Sequence, residues 1–560
     1  MNCLKPFSRL FLLLMVQIII FPAFGSETAG QIMFLVKQGK AAQAVAHYRT
    51  FAVANLKHDF ELLHQIGLGM LDYGYSQPDP ETQLLALFGA SISANQEAHY
   101  LLEEGLKNRY PQIQLIALMG LAKVQNDRAD QYLIGAMGSS QLIVRVESAK
   151  QLALKKHPEA VNQIESLMFK SPADLLPLYP PLIASIGNYQ ADRILRKLLH
   201  HPYSKVRLSV LLSIAKFQRD DFLPQLRQQV LQSHHGQQEA CVYALGLFHD
   251  EQSRAKLEKL RHSNYPAISL AAELALYRLG SEKSLGIIEK LADEGSLFAI
   301  SVLGDIPEAC DILAQLAKHK DPQIRINAAL GLLNQKNTPP IEILKEILIR
   351  NQGDLGFMPQ FTPGKTIKSW KVVHSASRLM ADDPTLFHTH IELKKNVLEL
   401  LKNISESVFI EIAHQIYNAR ENDLVPEITL LLEELGTSFA IECLKAHQQQ
   451  LGAPLIRHYC NLALYRLHEP GPYGEHLKQW VATQNKTPFL SLEKEMNVWD
   501  LKLNPHALTP EQSSQLLIKA FESFAINADE VGIDVLLEAI ATGHSKNKYA
   551  LAGLLLRATN

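Results

Sequence analysis

One pattern of residues recurs through the middle of the chain and limits its fold more than any other feature. It reads RYPQIQLIALMGLAKV at 109–124, SSQLIVRVESAKQLAL at 139–154 and HPYSKVRLSVLLSIAKF at 201–217. It returns as SNYPAISLAAELALYRLG at 263–280, KDPQIRINAALGLLNQ at 320–335 and GAPLIRHYCNLALYRL at 452–467. Each copy has a turn, commonly with Pro, then an apolar residue, commonly followed by Arg, then a helix rich in Ala and Leu. With Ile113, Val144, Val206, Ile268 and Ile324 as register marks, the spacings are 31, 62, 62 and 56 residues. The 62-residue steps are double units. Their intervening copies are SPADLLPLYPPLIASIG at 171–187 and HHGQQEACVYALGLF at 234–248, and the 56-residue step holds a shortened copy around 295–305.

A unit of ~30 residues in two helices cannot bury its own apolar face, so neighbours must stack. The helices that precede the repeated segment fit this reading. ADRILRKLLHH (191–201) and CDILAQLAKHK (310–320) carry apolar residues at helical spacing. They end in His or Lys, which suits the negative end of a helix dipole. The Pro of the turn then starts the next helix.

The length supports the same conclusion. A chain of 560 residues exceeds what one core holds, ~250–300 residues, so it must split or repeat. With 47% hydrophobic residues and only 29 Gly and 27 Pro, it is neither disordered nor collagen-like. Aromatic content of 7% disfavours a β-sandwich or barrel. The net charge of −2 provides no global field to attract nucleic acid or an anionic membrane.

The repeated segments resemble HEAT repeats, whose second helix opens with D-P-x-V-R followed by A-x-x-A-L-G. In 320–335, Asp321, Pro322, Ile324, Arg325, Ala328, Leu330 and Gly331 stand in that register. The resemblance covers about 106–349 and returns at 425–468. Over 26–105 it is weaker, and QGKAAQAVAHYRTF there also looks like a TPR helix. The resemblance implies a curved scaffold used for protein binding and occasionally for enzymes. The expected fold is all-α: a right-handed α-solenoid of roughly ten to twelve stacked helical hairpins, interrupted by a long loop. The expected divisions are a signal peptide at 1–25, N-terminal hairpins at 26–105 and HEAT-like repeats at 106–349. An irregular insertion at 350–390 and C-terminal helical repeats at 391–560 follow, the latter with an irregular segment at 469–512.

The first 25 residues read as a signal peptide. Lys5 and Arg9 precede an apolar run from Leu10 to Phe24, and Ala23 and Gly25 are the small residues before Ser26. The expected location is periplasmic or secreted, and a bacterial Sec route fits. Cys241, Cys310, Cys443 and Cys460 would remain after cleavage. Cys443 and Cys460 fall on two helices of one hairpin, where a disulfide is geometrically allowed; buried free thiols are the alternative.

Two stretches break the helical period. In 350–373, Gly353, Gly356, Pro359, Pro363 and Gly364 forbid a continuous helix. The stretch carries Phe357, Phe361 and Trp370, with Lys365, Lys368 and Lys371 nearby. The second stretch, 469–512, carries Trp480 and Trp499. Aromatic and basic residues of this kind form binding hot spots, and these eight are the candidate protein-binding residues. Packing of Trp370 into a gap between repeats is the competing reading.

Motifs for chemistry are missing. Gly364-Lys365-Thr366 ends like a phosphate loop, but Pro359 occupies the position where the first Gly belongs. HExxH and GxSxG do not occur, and His468-Glu469 is the only His-Glu pair. That pair falls short of the several that deoxyhypusine hydroxylase-type HEAT enzymes use for iron. No motif supports the phycobilin-lyase branch. His388 and His390, with Glu392, are weak metal candidates in a turn region. Histidines at the turns (His200, His201, His234, His235, His262 and His319) are expected to cap helix C-termini. Helix axes ~8–10 Å apart place histidines of successive repeats too far apart to share a metal unless they bend inward.

The reading that results is an exported scaffold, without cofactor or catalysis, that binds another protein through its concave face or the 350–373 loop. A ligand- or metal-dependent solenoid with its site at 350–392 is one alternative. Contact with anionic lipid through Lys365, Lys368 and Lys371 is another.

Overall fold

Pro at the first turn and Asp or Thr at the N-cap start the helices where the repeat places them. A computed structural model describes residues 28–350, 354–374, 383–489 and 508–560. Pro111, Pro266, Pro322, Pro384, Pro454 and Pro510 each open a helix, at a position whose N–H has no intrahelical acceptor. Asp321 caps its helix by accepting from the Gln323 amide at 2.8 Å. The signal-peptide residues and Trp499 lie outside the described residues.

The repeats fold as stacked helical hairpins. Arg254–Leu260 pairs with Pro266–Arg278, and Cys310–Leu316 pairs with Pro322–Asn334. The second helices stack in series: Ser204–Lys216 on His235–Leu247, and the latter on Pro266–Arg278. Small residues allow this approach. A Cβ added at Gly246 would stand 2.6 Å from the Ala275 Cα. Apolar burial is continuous, with Val206, Val210, Ala271, Leu276, Ile326 and Leu333 almost inaccessible to solvent.

One buried and one half-buried ion pair tie helices within the stack. Arg261 donates Nε to Glu273 Oε1 at 3.0 Å and Nη2 to Oε2 at 2.7 Å. Arg325 grips Glu346 in the same two-pronged manner. The planar fork of Arg matches a carboxylate.

The chain forms two compact units. One comprises 137–350, 354–374 and 383–474 and holds the repeats just described. The other joins the N-terminal hairpins, 28–136, with 475–489 and 508–560. Within that unit Lys548–Ala558 packs on Phe60–Ser76 and Pro80–Ile92, and Glu530–Thr542 packs on Ala41–Asn55. The approach of the last helix is backbone on backbone: a Cβ at Gly553 would lie 2.1 Å from the Gly89 carbonyl oxygen. Only glycine permits that crossing.

Two expectations need correction. The interruption at 350–373 is not an irregular loop throughout, because 356–373 forms an antiparallel hairpin. Strand β1 (Gly356–Phe361) pairs with β2 (Lys368–Val373), with Phe357 opposite Val372 and Pro359 opposite Trp370. Pro359 is compatible with a strand because the Trp370 N–H opposite it donates outward to Asn327. Pro359 therefore sits where β1 makes no ladder bond to β2. The second correction concerns 469–512: a regular helix, Tyr473–Gln484, occupies part of it. Pro470, Gly471 and Pro472 precede this helix instead of interrupting it.

Candidate functional site

The hairpin is the feature that departs from the repeat, and the repeat holds it at three points. Its tip lies on Glu239 of the helix His235–Leu247. Glu239 is fully buried. One carboxylate oxygen accepts from the Gly364 N–H at 2.8 Å, and the other accepts from the Thr362 and Thr366 hydroxyls. Added Cβ atoms at Gly364 or Gly236 would strike the opposing backbone, so the tip and the helix meet main chain to main chain. The Lys365 φ of +55° completes the turn.

Strand β2 is held by side-chain amides of Pro322–Asn334. Asn327 accepts from the Trp370 N–H at 2.8 Å and donates to its carbonyl at 2.7 Å. Gln323, one turn earlier, does the same for Val372 at 2.9 and 2.8 Å. Ser301 donates to the Lys368 carbonyl. The outer edge of β2 is thus satisfied by helices that would otherwise face solvent.

The base of the hairpin is buried against Pro384–Ile404. Phe357 stacks on His390 with ring centroids 5.3 Å apart. His390 is 1% exposed, and its Nδ1 has no hydrogen-bond partner among the described residues. Burial, reinforced by Lys394 and Arg350, pushes its pKa down to about 3. Lys394 is buried too. It donates Nζ to the Leu348 carbonyl at 3.0 Å, and burial lowers its pKa to about 8. The Arg350 amide donates to the buried Glu421 at 2.7 Å, and its guanidinium pairs with Asp423.

A cleft of about 340 Å³ lies between β2, the helices Leu297–Leu303 and Pro322–Asn334, and Pro384–Ile404. Tyr243, Asp305, Asn334, Lys368, Trp370 and Asn396 are among its lining residues. Burial raises the Asp305 pKa, partly offset by Arg278. Desolvation by burial lowers the Lys368 pKa, and its Nζ lies 3.9 Å from the Trp370 ring centroid and 6.0 Å from that of Phe361. Both shifts favour the neutral form.

The candidate binding residues separate accordingly. Phe361 is 51% exposed and joins Lys368 and Trp370 in one cluster. Lys365 and Lys371 are exposed on the same hairpin. Phe357 is core, at 1% exposure, and Trp480 is buried in the other unit. His388 and His390 do not converge as metal ligands. They lie on one helix two residues apart, ~200° around its axis, with His388 exposed and His390 buried. Cys443 and Cys460 are free buried thiols and form no bridge. Cys443 is directed at His414, 3.8 Å from its Nδ1.

Two of the six turn histidines, His201 and His319, act differently from expected. His201 Nδ1 accepts from the Tyr203 N–H at 3.2 Å, and His319 Nδ1 accepts from Asp321 at 3.0 Å. His157 and His544 repeat this bond to the residue two ahead. They satisfy amides entering the next helix. The exception for side chains that bend inward is met at one place: the ring nitrogens of His414 and His447 approach to 2.9 Å. Side chains aimed inward span what the helix axes do not. Asn327, Gln323 and Glu239 were not singled out in the sequence. Buried polar residues on otherwise apolar helix faces were the available signal.

No family model and no curated protein matches the chain. Solved structures do show similarity. One is the CpcE–CpcF complex of phycocyanin lyase from Nostoc sp. PCC7120, at 21% identity, covering 36% of this chain and 86% of that one, with a TM-score of 0.29. A second is karyopherin Kap121p bound to the extreme C-terminus of the phosphatase Cdc14p, at 13% identity over 100% of this chain and 70% of that one, TM-score 0.31. A third is yeast importin-beta, Kap95p, at 13% identity over 94% and 72%, TM-score 0.32. Likenesses of this degree bear on neither site nor activity. The architecture is a stack of helical hairpins, established by the chain's own packed repeats.

Proposed function

We propose that this chain is a protein-binding scaffold whose contact surface is the docked hairpin and the cleft beside it. The carrying observation is the cluster of Phe361, Lys368 and Trp370 on a strand pair that three helices hold still. Exposed aromatic and cationic groups on a pre-ordered element lose little entropy on binding. Pro359 has no N–H to offer at its position on β1, which discourages strand addition there and favours recognition through side chains.

The test compares crosslinked partners of the native chain and a Phe361→Ala/Lys368→Ala double variant. Expected is loss of one abundant partner, with affinity lowered about 30-fold or more, the scale of hot-spot truncation. Helical circular dichroism should not change. Equal recovery by both proteins would remove the hairpin as the contact surface. A second reading draws on the shifted Asp305 and Lys368 lining one cleft: a small polar ligand bound there. Ligand-dependent protection of cleft residues without any macromolecular partner would favour it.

The proposal includes export. Its support is the charged, then apolar, then small-residue order of 1–25. Amino-terminal sequencing of protein recovered from its native host is expected to begin at Ser26. Recovery of intact Met1 from the cytoplasm would refute export.

A further inference from the structure

The helices Glu406–Ala419 and Ser438–Gln448 carry a cluster that the hairpin does not involve. Cys443 and His447 are four residues apart and so share one helix face. That face meets His414 on the neighbouring helix. His414 Nδ1 lies 2.9 Å from His447 Nε2 and 3.8 Å from Cys443 Sγ. All three ligand atoms fall within 4.8 Å of one another, the one such group of His, Cys, Asp or Glu among the described residues.

We propose that Cys443 Sγ, His447 Nε2 and His414 Nδ1 form a three-ligand site for a zinc-class divalent ion. Tetrahedral zinc with bonds of ~2.0–2.1 Å to nitrogen and ~2.3 Å to sulfur sets ligand atoms roughly 3.3–3.6 Å apart. The observed separations bracket that range, so small side-chain rotations close the site. On binding, the Sγ–metal bond replaces the Sγ–H bond and the thiol proton leaves to solvent, while the His414 Nδ1 proton that bridges to His447 Nε2 is exchanged through solvent to His414 Nε2, freeing the Nδ1 lone pair. Thiolate with imidazole suits zinc and disfavours magnesium or calcium.

The surroundings orient the ligands. Gln450 Nε2 donates to the Tyr417 carbonyl at 3.4 Å, which turns its Oε1 toward His447 Nδ1 at 3.1 Å. His447 Nδ1 then carries the proton and Nε2 offers its lone pair to the cluster. Cys443 and His447 are buried while His414 is partly exposed. That exposure leaves solvent access to a fourth position. Such an ion would join two successive hairpins by bonds between side chains.

The full chain, purified without a histidine tag and stripped by chelator, is titrated with cobalt(II) and then zinc. Expected are one equivalent of cobalt, a thiolate-to-cobalt charge-transfer band with four-coordinate d–d absorption, and bleaching by zinc. Cys443→Ala and His414→Ala should each lose the band. His414 is partly exposed, so its variant tests the site even if Cys443→Ala folds poorly. Gln450→Ala should retain the band with affinity ~10–100-fold weaker. A native chain without the band overturns the proposal, as does a band unchanged in either ligand variant, since other thiols or surface histidines would then hold the metal.

Discussion

Replacing Glu239 by Ala is expected to release the hairpin tip while the helical repeats stay folded. Glu239 is fully buried and holds the Gly364 amide and the Thr362 and Thr366 hydroxyls. Hydrogen bonds to a charged acceptor contribute ~1.5–3 kcal/mol each. Loss of three, with some recovered by water as the tip opens, gives about 4 kcal/mol of local stability. That corresponds to roughly 10³-fold faster amide exchange at the tip. Glu239→Gln keeps the shape but offers one acceptor oxygen and places an NH₂ against donors, so an intermediate loss is expected. Exchange rates across 356–373, with far-ultraviolet circular dichroism, check this. Unchanged protection at Gly364 in Glu239→Ala would show that the tip is held by packing alone.

Acid is expected to loosen the base of the same hairpin. His390 has its folded pKa depressed from 6.5 to about 3, chiefly by burial. Between those values the unfolded chain binds more protons than the folded one, so stability rises with pH. The contribution is whole above the unfolded value and is lost as pH falls toward 3. Each pH unit in that window is ~1.4 kcal/mol, so by pH 4 the loss is about 3 kcal/mol. Burial also lowers the pKa of His99, His201 and His447, adding losses of the same sign. His390→Leu removes the titrating ring and should flatten the slope of urea midpoint against pH from 6.5 to 4. Equal slopes in native and variant proteins would place the acid sensitivity elsewhere.

The two predictions concern a segment whose disruption of the helical period was plain in the sequence and whose structure was not. Gly353, Gly356, Pro359, Pro363 and Gly364 ruled out a continuous helix, and a Pro is no easier to place inside a strand. Whether Pro is tolerated depends on which way its missing N–H points, and the docking of β2 on Asn327 decides that. Phe357 and Phe361 looked alike in sequence. Their separation into core and surface follows from strand pairing and from His390, some thirty residues later. Cys443 and Cys460 looked like partners because their helices pair, but thiol direction depends on side-chain geometry that helix pairing leaves open.

Local information was enough for the repeat. Helical periodicity, Pro at the first turn, Asp caps and small residues at crossings act within a few residues, so the sequence determined a stack of helical hairpins. Tertiary structure decided the rest. It brought Glu239 to the turn at 362–366, His414 to Cys443 and His447, and the last helix onto Gly89. Each of these joins residues from different repeats or opposite ends of the chain. A backbone of repeated hairpins admits many such contacts. The one that forms is set by which buried polar group must be satisfied and which glycine admits another backbone.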